Sequence, residues 1–311
     1  MLSVKNLIDT YSLTADDITQ ILDTAASFES VNNRAIKKVP ALRGRTIVNL
    51  FLEPSTRTKS SFELAEKRLS ADSLSMGGST SSVVKGESLA DTIQTISAMN
   101  VDMFVCRAKL AGTPQRITEN TDAVVINAGD GKHQHPTQAM LDLYTIRKNF
   151  GHLDGLKVAI VGDLAHSRVC GSLAPALKTM GAEVTLVGPP TFQVDDPDWF
   201  GCPQTSSLDD VIEDMDVVYM LRVQLERMEG AAIPSRREYN RLYGLDMTRV
   251  NRMKPGAIIC HPGPMNRGME INADVADCAR SRILNQVNAG VLTRMAEMYL
   301  LLGGENNGLS A

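Results

Sequence analysis

The sequence predicts an α/β protein made of two doubly wound domains, each with a mainly parallel sheet, joined by interdomain helices. Two observations carry that expectation. Short runs rich in β-branched residues alternate with segments of helical spacing, which is the pattern of βαβ units. The alternation also comes as two series, the second restarting at Lys157-Val158-Ala159-Ile160-Val161-Gly162-Asp163, and 311 residues is length enough for two cores. The expected domains are 1–134 and 135–288, with a last helix over 289–303 packing back on the first.

Each element has its own signal. Thr14 and Asp17 stand in capping-box spacing before Ile18, Ile21, Leu22 and Ala25, so 14–29 is an amphipathic helix. Thr46-Ile47-Val48-Asn49-Leu50 opens a buried strand, 46–52. Phe62, Leu64, Ala65 and Leu69 mark the helix after it, and 71–76 is a weaker strand. The Gly- and Ser-rich stretch 77–87 is too long for a simple connector. Helix 88–99, strand 101–106 ending at Arg107 and strand 123–127 complete the first series. Pro136 suits a first helical position, and helix 136–149 is the expected passage between domains. The second series runs strand 157–163, helix 168–180, strand 183–187, helix 207–214, strand 216–221 and strand 257–261. Residues 223–252 read as a surface excursion, 289–302 as an apolar helix and 303–311 as a loose tail.

Composition removes several classes of function. A net charge of −4 and a pI of about 5.8 argue against general nucleic-acid binding. Residues 1–9 lack the apolar core of a signal peptide, and no apolar stretch approaches membrane-spanning length. Five scattered cysteines (Cys106, Cys170, Cys202, Cys260, Cys278), with no C-x-x-C pair, fit reduced thiols in a cytoplasmic protein.

Between the first strand and its helix lies Phe51-Leu52-Glu53-Pro54-Ser55-Thr56-Arg57-Thr58-Lys59. A strand-to-helix turn aims free backbone N–H groups and a helix dipole at one place, where an anion is stabilised. Ser55, Thr56 and Thr58 add short donors, and Arg57 adds a fork that matches phosphate oxygens. A helix cap explains one hydroxyl, but not three with an arginine among them, so the turn reads as a phosphate cradle.

The other strands end in similar residues: Arg107, then the loop holding His135, then His166-Ser167-Arg168, Arg222 with Gln224, and His261-Pro262-Gly263-Pro264. Ligands of open parallel sheets bind outside those carboxyl ends, so the pattern implies a cleft for a ligand with several anionic oxygens. Rival motifs are weaker. Val161 to His166 lacks G-x-G-x-x-G, no P-loop or G-x-S-x-G elbow is present, and His133-x-His135 has no supporting ligand cluster for a metal.

At these residues the chain resembles the aspartate/ornithine carbamoyltransferase family over essentially its whole length. The anchors are Ser55-Thr56-Arg57-Thr58, Lys85-Gly86-Glu87, His135-Pro136-Thr137-Gln138, His166-Ser167-Arg168, Arg222-Val223-Gln224-Leu225-Glu226-Arg227 and His261-Pro262-Gly263-Pro264. The last of these, with Arg222 and Gln224, suits a dicarboxylate acceptor; another amino acid such as ornithine is the alternative. The resemblance implies carbamoyl phosphate and L-aspartate as substrates, N-carbamoyl-L-aspartate and phosphate as products, and a place in pyrimidine synthesis, with no metal or organic cofactor.

It also implies roles for particular residues. Ser55, Thr56, Arg57 and Thr58 hold the phosphate, while Thr58, Arg107 and His135 donate to the carbamoyl oxygen. Gln138 and the backbone near Gly263 and Pro264 bind the amide. Lys85, Arg107, Arg168, Arg222 and Gln224 meet aspartate, and the residues expected to carry the chemistry are Arg57, Thr58, Lys85, Arg107 and His135. The family's active sites are shared between the chains of a homotrimer, Ser81 and Lys85 reaching in from the adjacent subunit. Regulatory chains or a dihydroorotase are further partners left open. Lys59, Ala108-Lys109 and Cys170-Gly171-Ser172 depart from the family's usual residues without removing any group given a role.

Overall fold

A computed structural model of the chain describes residues 2–77, 87–196, 201–223 and 235–303. It is an α/β protein with two sheets, every strand pair in both being parallel. The chain divides into one unit of Met1–Tyr144 with Asn288–Ala311 and another of Thr145–Val287.

The first unit holds β1 (Thr46–Phe51), β2 (Asp72–Gly77), β3 (Met103–Ala108) and β4 (Val124–Asp130), in the order β2-β1-β3-β4. Its helices are α1 (Ala15–Ser27), α2 (Glu29–Asn32), α3 (Thr56–Leu69), α4 (Leu89–Ser97) and α5 (Thr113–Thr118), with the larger part of α6 (Pro136–Phe150). The capping box forms as expected: Asp17 N donates to Thr14 Oγ1 at 3.1 Å and Thr14 N to Asp17 Oδ2 at 3.0 Å. Hydrogen bonds from Ser3 and Thr14 outweigh the burial of Asp17 and hold its carboxyl down at about 2.

β1, central in the sheet, is buried on both faces, as expected of a parallel sheet packed between helices, and β4, at the sheet's edge, is buried as well, with Leu7 paired to Ile126 along its outer side. β2 is a partly exposed edge, which explains its weak sequence signal. Asn49 of β1 donates to both carboxylate oxygens of Glu66 on α3 at 2.8 and 2.9 Å, and Ser73 of β2 donates to the same carboxylate. That buried knot fixes α3 against the sheet and so aims its N-terminus.

The second unit holds β5 (Lys157–Val161), β6 (Glu183–Val187), β7 (Gln204–Thr205), β8 (Val217–Met220) and β9 (Ile258–Cys260), in the order β7-β6-β5-β8-β9. Its helices include α7 (Arg168–Thr179), α8 (Arg236–Tyr243), α9 (Met247–Arg252) and α10 (Ala273–Ala276). Gly162 leaves β5 at φ +136°, and a Cβ there would meet Leu221 Cβ at 3.0 Å and Tyr239 Oη at 3.3 Å. Only glycine lets the strand turn so close to its neighbour.

Three expectations change. The helix expected over 207–214 is only a 3₁₀ turn, Ile212–Asp214. Four acids in eight residues give little drive to helix, and Asp209 is drawn into a two-point pair with Arg249 at 3.1 and 2.7 Å. The described part of 223–252 is not a solvated excursion: Tyr239 and Tyr243 pack, ring centroids 5.5 Å apart, and join the buried Phe192. The terminal helix, α11 (Ile283–Leu301), starts before 289 because Ile283 is buried and Gln286 is engaged by the backbone N–H of His261 at 2.9 Å. The stretch 77–87, apart from its two ends, and the tail from 304 lie outside the described residues.

From Asn288 onward α11 belongs to the first unit. Its Arg294 donates to Ser61 Oγ of α3 and to Gly290 O at 3.3 Å, and lies over the Phe62 ring, 4.9 Å from the centroid. Burial pushes the neighbouring Glu297 carboxyl up to about 8 despite the pull of Arg294. A carboxyl raised in the folded state holds its proton more tightly there than in the unfolded chain, so stability falls as pH rises through the interval. From the ordinary value of 4.5 to about 8, stability should decline, and Glu297→Gln should flatten that slope. Denaturant unfolding at the two ends of the interval, on both proteins, reads the difference.

Candidate active site

In the first unit the chain leaves β1 in one direction and β3 in the other, so the switch point of the sheet lies between them. Phe51 and Arg107 are register partners there. Ser55 is the N-cap of α3 with extended backbone (φ −161°), and its side chain makes no cap hydrogen bond. The first helical bond runs from Lys59 N to Ser55 O at 3.2 Å, so the amides of Thr56, Arg57 and Thr58 stand outside the helix ladder. Thr56 and Arg57 are exposed and Thr58 is buried. The turn therefore presents an unused hydroxyl, backbone N–H groups and a cation at the positive end of a 14-residue helix.

Arg107 lies within β3 rather than after it, at the point where the β3–β4 register shifts between Cys106 and Ala108. Its Nη1 donates to Ala128 O at 3.1 Å and its Nη2 meets Glu53 Oε1 at 3.2 Å. The guanidinium is thus held by β4 on one side and by the turn after β1 on the other.

β4 runs on to Asp130, past the end expected from sequence. The fully buried Asp130 carboxylate accepts from Gly112 N at 2.7 Å, Asn127 Nδ2 at 2.8 Å and Gln134 N at 3.1 Å, and pairs with His133 Nδ1 at 3.1 Å. This folds the loop so that the buried His135 sits at the start of α6, its Nδ1 3.4 Å from Thr137 Oγ1. Gln138 follows in the first turn, with Nε2 donating to Asp142 Oδ1 at 3.1 Å. His133 is engaged by Asp130 and not by a second histidine.

In the second unit the switch point lies between β5 and β8, whose ends pair as Val161 with Met220. Asp163, just past β5, accepts from His166 N at 3.1 Å and holds its Nδ1 at 2.9 Å. Ser167 caps α7 by accepting from Cys170 N at 3.3 Å, which puts the buried Arg168 at the first helical position. Arg222 is half-buried just after β8.

Beyond β9, Gly263 N donates to His261 Nδ1 at 2.7 Å, so Nε2 carries the proton and donates to the buried Glu270 Oε1 at 3.3 Å. Asn266 N also donates to Glu270 Oε1 at 2.6 Å, and Asn266 Nδ2 reaches Val223 O at 3.0 Å. Those bonds draw the Gly263-Pro264 loop toward the end of β8.

The structure therefore gathers Ser55, Thr56, Arg57, Thr58, Arg107, His135 and Gln138 at the carboxyl edge of one sheet. It gathers Arg168, Arg222, Gly263 and Pro264 at the carboxyl edge of the other. Ser81, Lys85 and Gln224 lie outside the described residues. Sequence reading missed Glu53, Asp130, Asp142 and Glu270, the acidic partners that orient these groups.

Two strand edges carrying arginines, hydroxyls and helix N-termini suit anionic ligands, and comparison with known proteins supplies the family. Residues 5–148 match the carbamoyl-phosphate-binding domain, and residues 154–301 the aspartate/ornithine-binding domain, of the aspartate/ornithine carbamoyltransferases. The chain belongs to that family. The aspartate carbamoyltransferase catalytic subunit of Thermobifida fusca is 54% identical over 301 residues, covering 97% of this chain and 96% of the relative. Among solved structures, the aspartate transcarbamoylase of Trypanosoma cruzi in complex with carbamoyl phosphate and aspartate has a TM-score of 0.85 at 29% identity, covering 96% of this chain and 95% of that one. Ornithine carbamoyltransferase from Pyrococcus furiosus has a TM-score of 0.87 at 28% identity, covering 97% and 98%.

Proposed function

We propose that this chain is an aspartate carbamoyltransferase, transferring the carbamoyl group of carbamoyl phosphate to L-aspartate in de novo pyrimidine (UMP) synthesis. The observation that carries the reading is the Ser55–Thr58 turn at the head of α3 beside the braced guanidinium of Arg107. The choice of aspartate is supported by the 54% identical catalytic subunit and by Arg168 and Arg222 at the carboxyl edge of the second sheet.

The neutral amine of aspartate attacks the carbamoyl carbon, the C–N bond forms, and a tetrahedral oxyanion develops. Thr58, Arg107 and His135 donate to that oxygen, each such donor being worth roughly 2.7–4 kcal/mol where it is preorganised. His135 Nδ1 lies 3.4 Å from Thr137 Oγ1, and this reading takes Nε2–H as the donating end. The C–O bond to phosphate then breaks, the leaving group's charge being met by Arg57 and the helix N-terminus. Phosphate can accept the amine's proton, so no separate general base is required. Gln138 and the backbone at Gly263 and Pro264 bind the carbamoyl amide.

In this reading the unit of residues 1–144 with 288–311 is the carbamoyl-phosphate domain, rather than 1–134 with 289–303, and 145–287 is the aspartate domain, with Lys85, Arg107, Arg168, Arg222 and Gln224 on the carboxylates. The working form is a homotrimer in which Ser81 and Lys85 come from the adjacent copy, a reading supported by the family pattern in 77–87. Five cysteines, none of them in a disulfide, support a cytoplasmic setting.

The division of labour has a kinetic signature. Arg222→Ala should raise the KM for aspartate by about ten- to a hundredfold, the loss of one charge-assisted contact, with little effect on carbamoyl phosphate. Initial rates with each substrate varied in turn measure it, and a defect confined to carbamoyl phosphate would reverse the assignment.

A further inference from the structure

The side-chain amide of Gln138 has two chemically opposite ends, and its surroundings decide which one faces outward. Its Nε2 donates at 3.1 Å to Asp142 Oδ1, one turn further along α6. Asp142 is fully buried and Gln138 nearly so. A carboxylate only accepts, so the amide is set with NH2 inward and Oε1 as the end left for a ligand. The buried guanidinium of Arg294 is close enough to act electrostatically on Asp142 and donates to Ser61 Oγ and Gly290 O. The row thus has one polarity: a donor-only guanidinium, an acceptor-only carboxylate, then an amide left to accept.

We infer that Asp142 is a positioning residue that turns Gln138 into an acceptor, and that this makes the site prefer an acyl phosphate bearing an NH2 group over one bearing a methyl. The inference rests on the reading that Gln138 meets the carbamoyl amide. Carbamoyl phosphate and acetyl phosphate share the phosphate, the carbonyl and nearly the same volume, and differ in N–H donors. Shape separates them poorly, because a methyl and an NH2 are almost isosteric. A hydrogen-bond acceptor separates them well, since with the methyl compound it stays desolvated and unpaired.

Asp142→Asn tests the point with little change of shape. Arg294 draws the new amide's oxygen, which turns its NH2 toward Gln138 and favours a Gln138 with its own NH2 outward. Carbamoyl phosphate affinity should then fall by about ten- to a hundredfold, while the inhibition constant of acetyl phosphate moves by less than about threefold. A merely structural role for Asp142 would weaken both compounds alike and leave their ratio unchanged, and that result overturns the inference.

Gln138→Leu, measured in parallel, should lose the preference as well. If it keeps the wild-type ratio, the placement of Gln138 against the amide fails, and the inference with it. If it loses the ratio while Asp142→Asn keeps it, only the role of Asp142 fails. Should Asp142→Asn not fold, the unmodified protein still decides: it must bind carbamoyl phosphate at least about tenfold tighter than acetyl phosphate, and equal binding overturns the proposal.

Discussion

Arg57→Ala should lower kcat/KM for carbamoyl phosphate by about a hundredfold or more without weakening the fold. The side chain is exposed on the first turn of α3 and belongs to no core cluster, and exposed substitutions of that kind usually change stability by no more than about 0.5 kcal/mol. A bidentate pair with a phosphate removes two charge-assisted hydrogen bonds at once, each worth about 1.5–3 kcal/mol. The loss should grow as phosphate leaves, because charge accumulates there, so kcat falls along with affinity. Arg57→Lys keeps the charge but loses the fork and should recover only part of the activity. Retention of more than about a tenth of wild-type kcat/KM by Arg57→Ala would remove the arginine from the phosphate site.

Arg107→Met should cost both turnover and stability, and the two losses can be separated. Loss of an oxyanion donor lowers kcat by about 10²–10³-fold. The same change strands Glu53, whose carboxylate faces Arg107 at 3.2 Å with only about a tenth of either side chain exposed. Breaking a buried pair from one side costs about 3–5 kcal/mol, because the remaining charge has been taken out of water. The double variant Arg107→Met with Glu53→Gln should regain much of the stability and none of the turnover. Turnover restored in the double variant would make Arg107 a brace for Glu53 and nothing more. Denaturant unfolding and steady-state rates on the three proteins decide it.

What could be read ahead of the structure was local. Thr14 and Asp17 announce α1 because a capping box is contained within four residues, and β1 and β4 announce themselves because both faces of each strand are buried. The strand–turn–helix around Ser55–Thr58 was equally legible, since hydroxyls, an arginine and Pro54 fall between a β-branched run and a helical one.

Of the acidic partners that sequence reading missed, Glu53 and Glu270 act across separations in sequence that the fold alone closes, whereas Asp142 stands one turn from Gln138 on α6 and Asp130 works mainly within its own loop. Glu53 finds Arg107 across two neighbouring strands, and Asp130 collects donors from residues 112, 127, 133 and 134. Glu270 fixes the Gly263 loop only once His261 has been turned toward it. Arg107 itself looked like a residue after a strand, but a shift in the β3–β4 register keeps it inside one. Over 207–214 the spacing of Leu208 and Ile212 matches a helix, and the pairing of Asp209 with Arg249 and Arg252 decides otherwise.

The most direct test of the account is carbamoyl transfer by the purified full chain, with carbamoyl phosphate offered together with L-aspartate or, separately, L-ornithine. N-carbamoyl-L-aspartate should form with one phosphate released per turnover, and ornithine should support little or no reaction. Preferential carbamoylation of ornithine, or a folded protein that turns over neither acceptor, would contradict it.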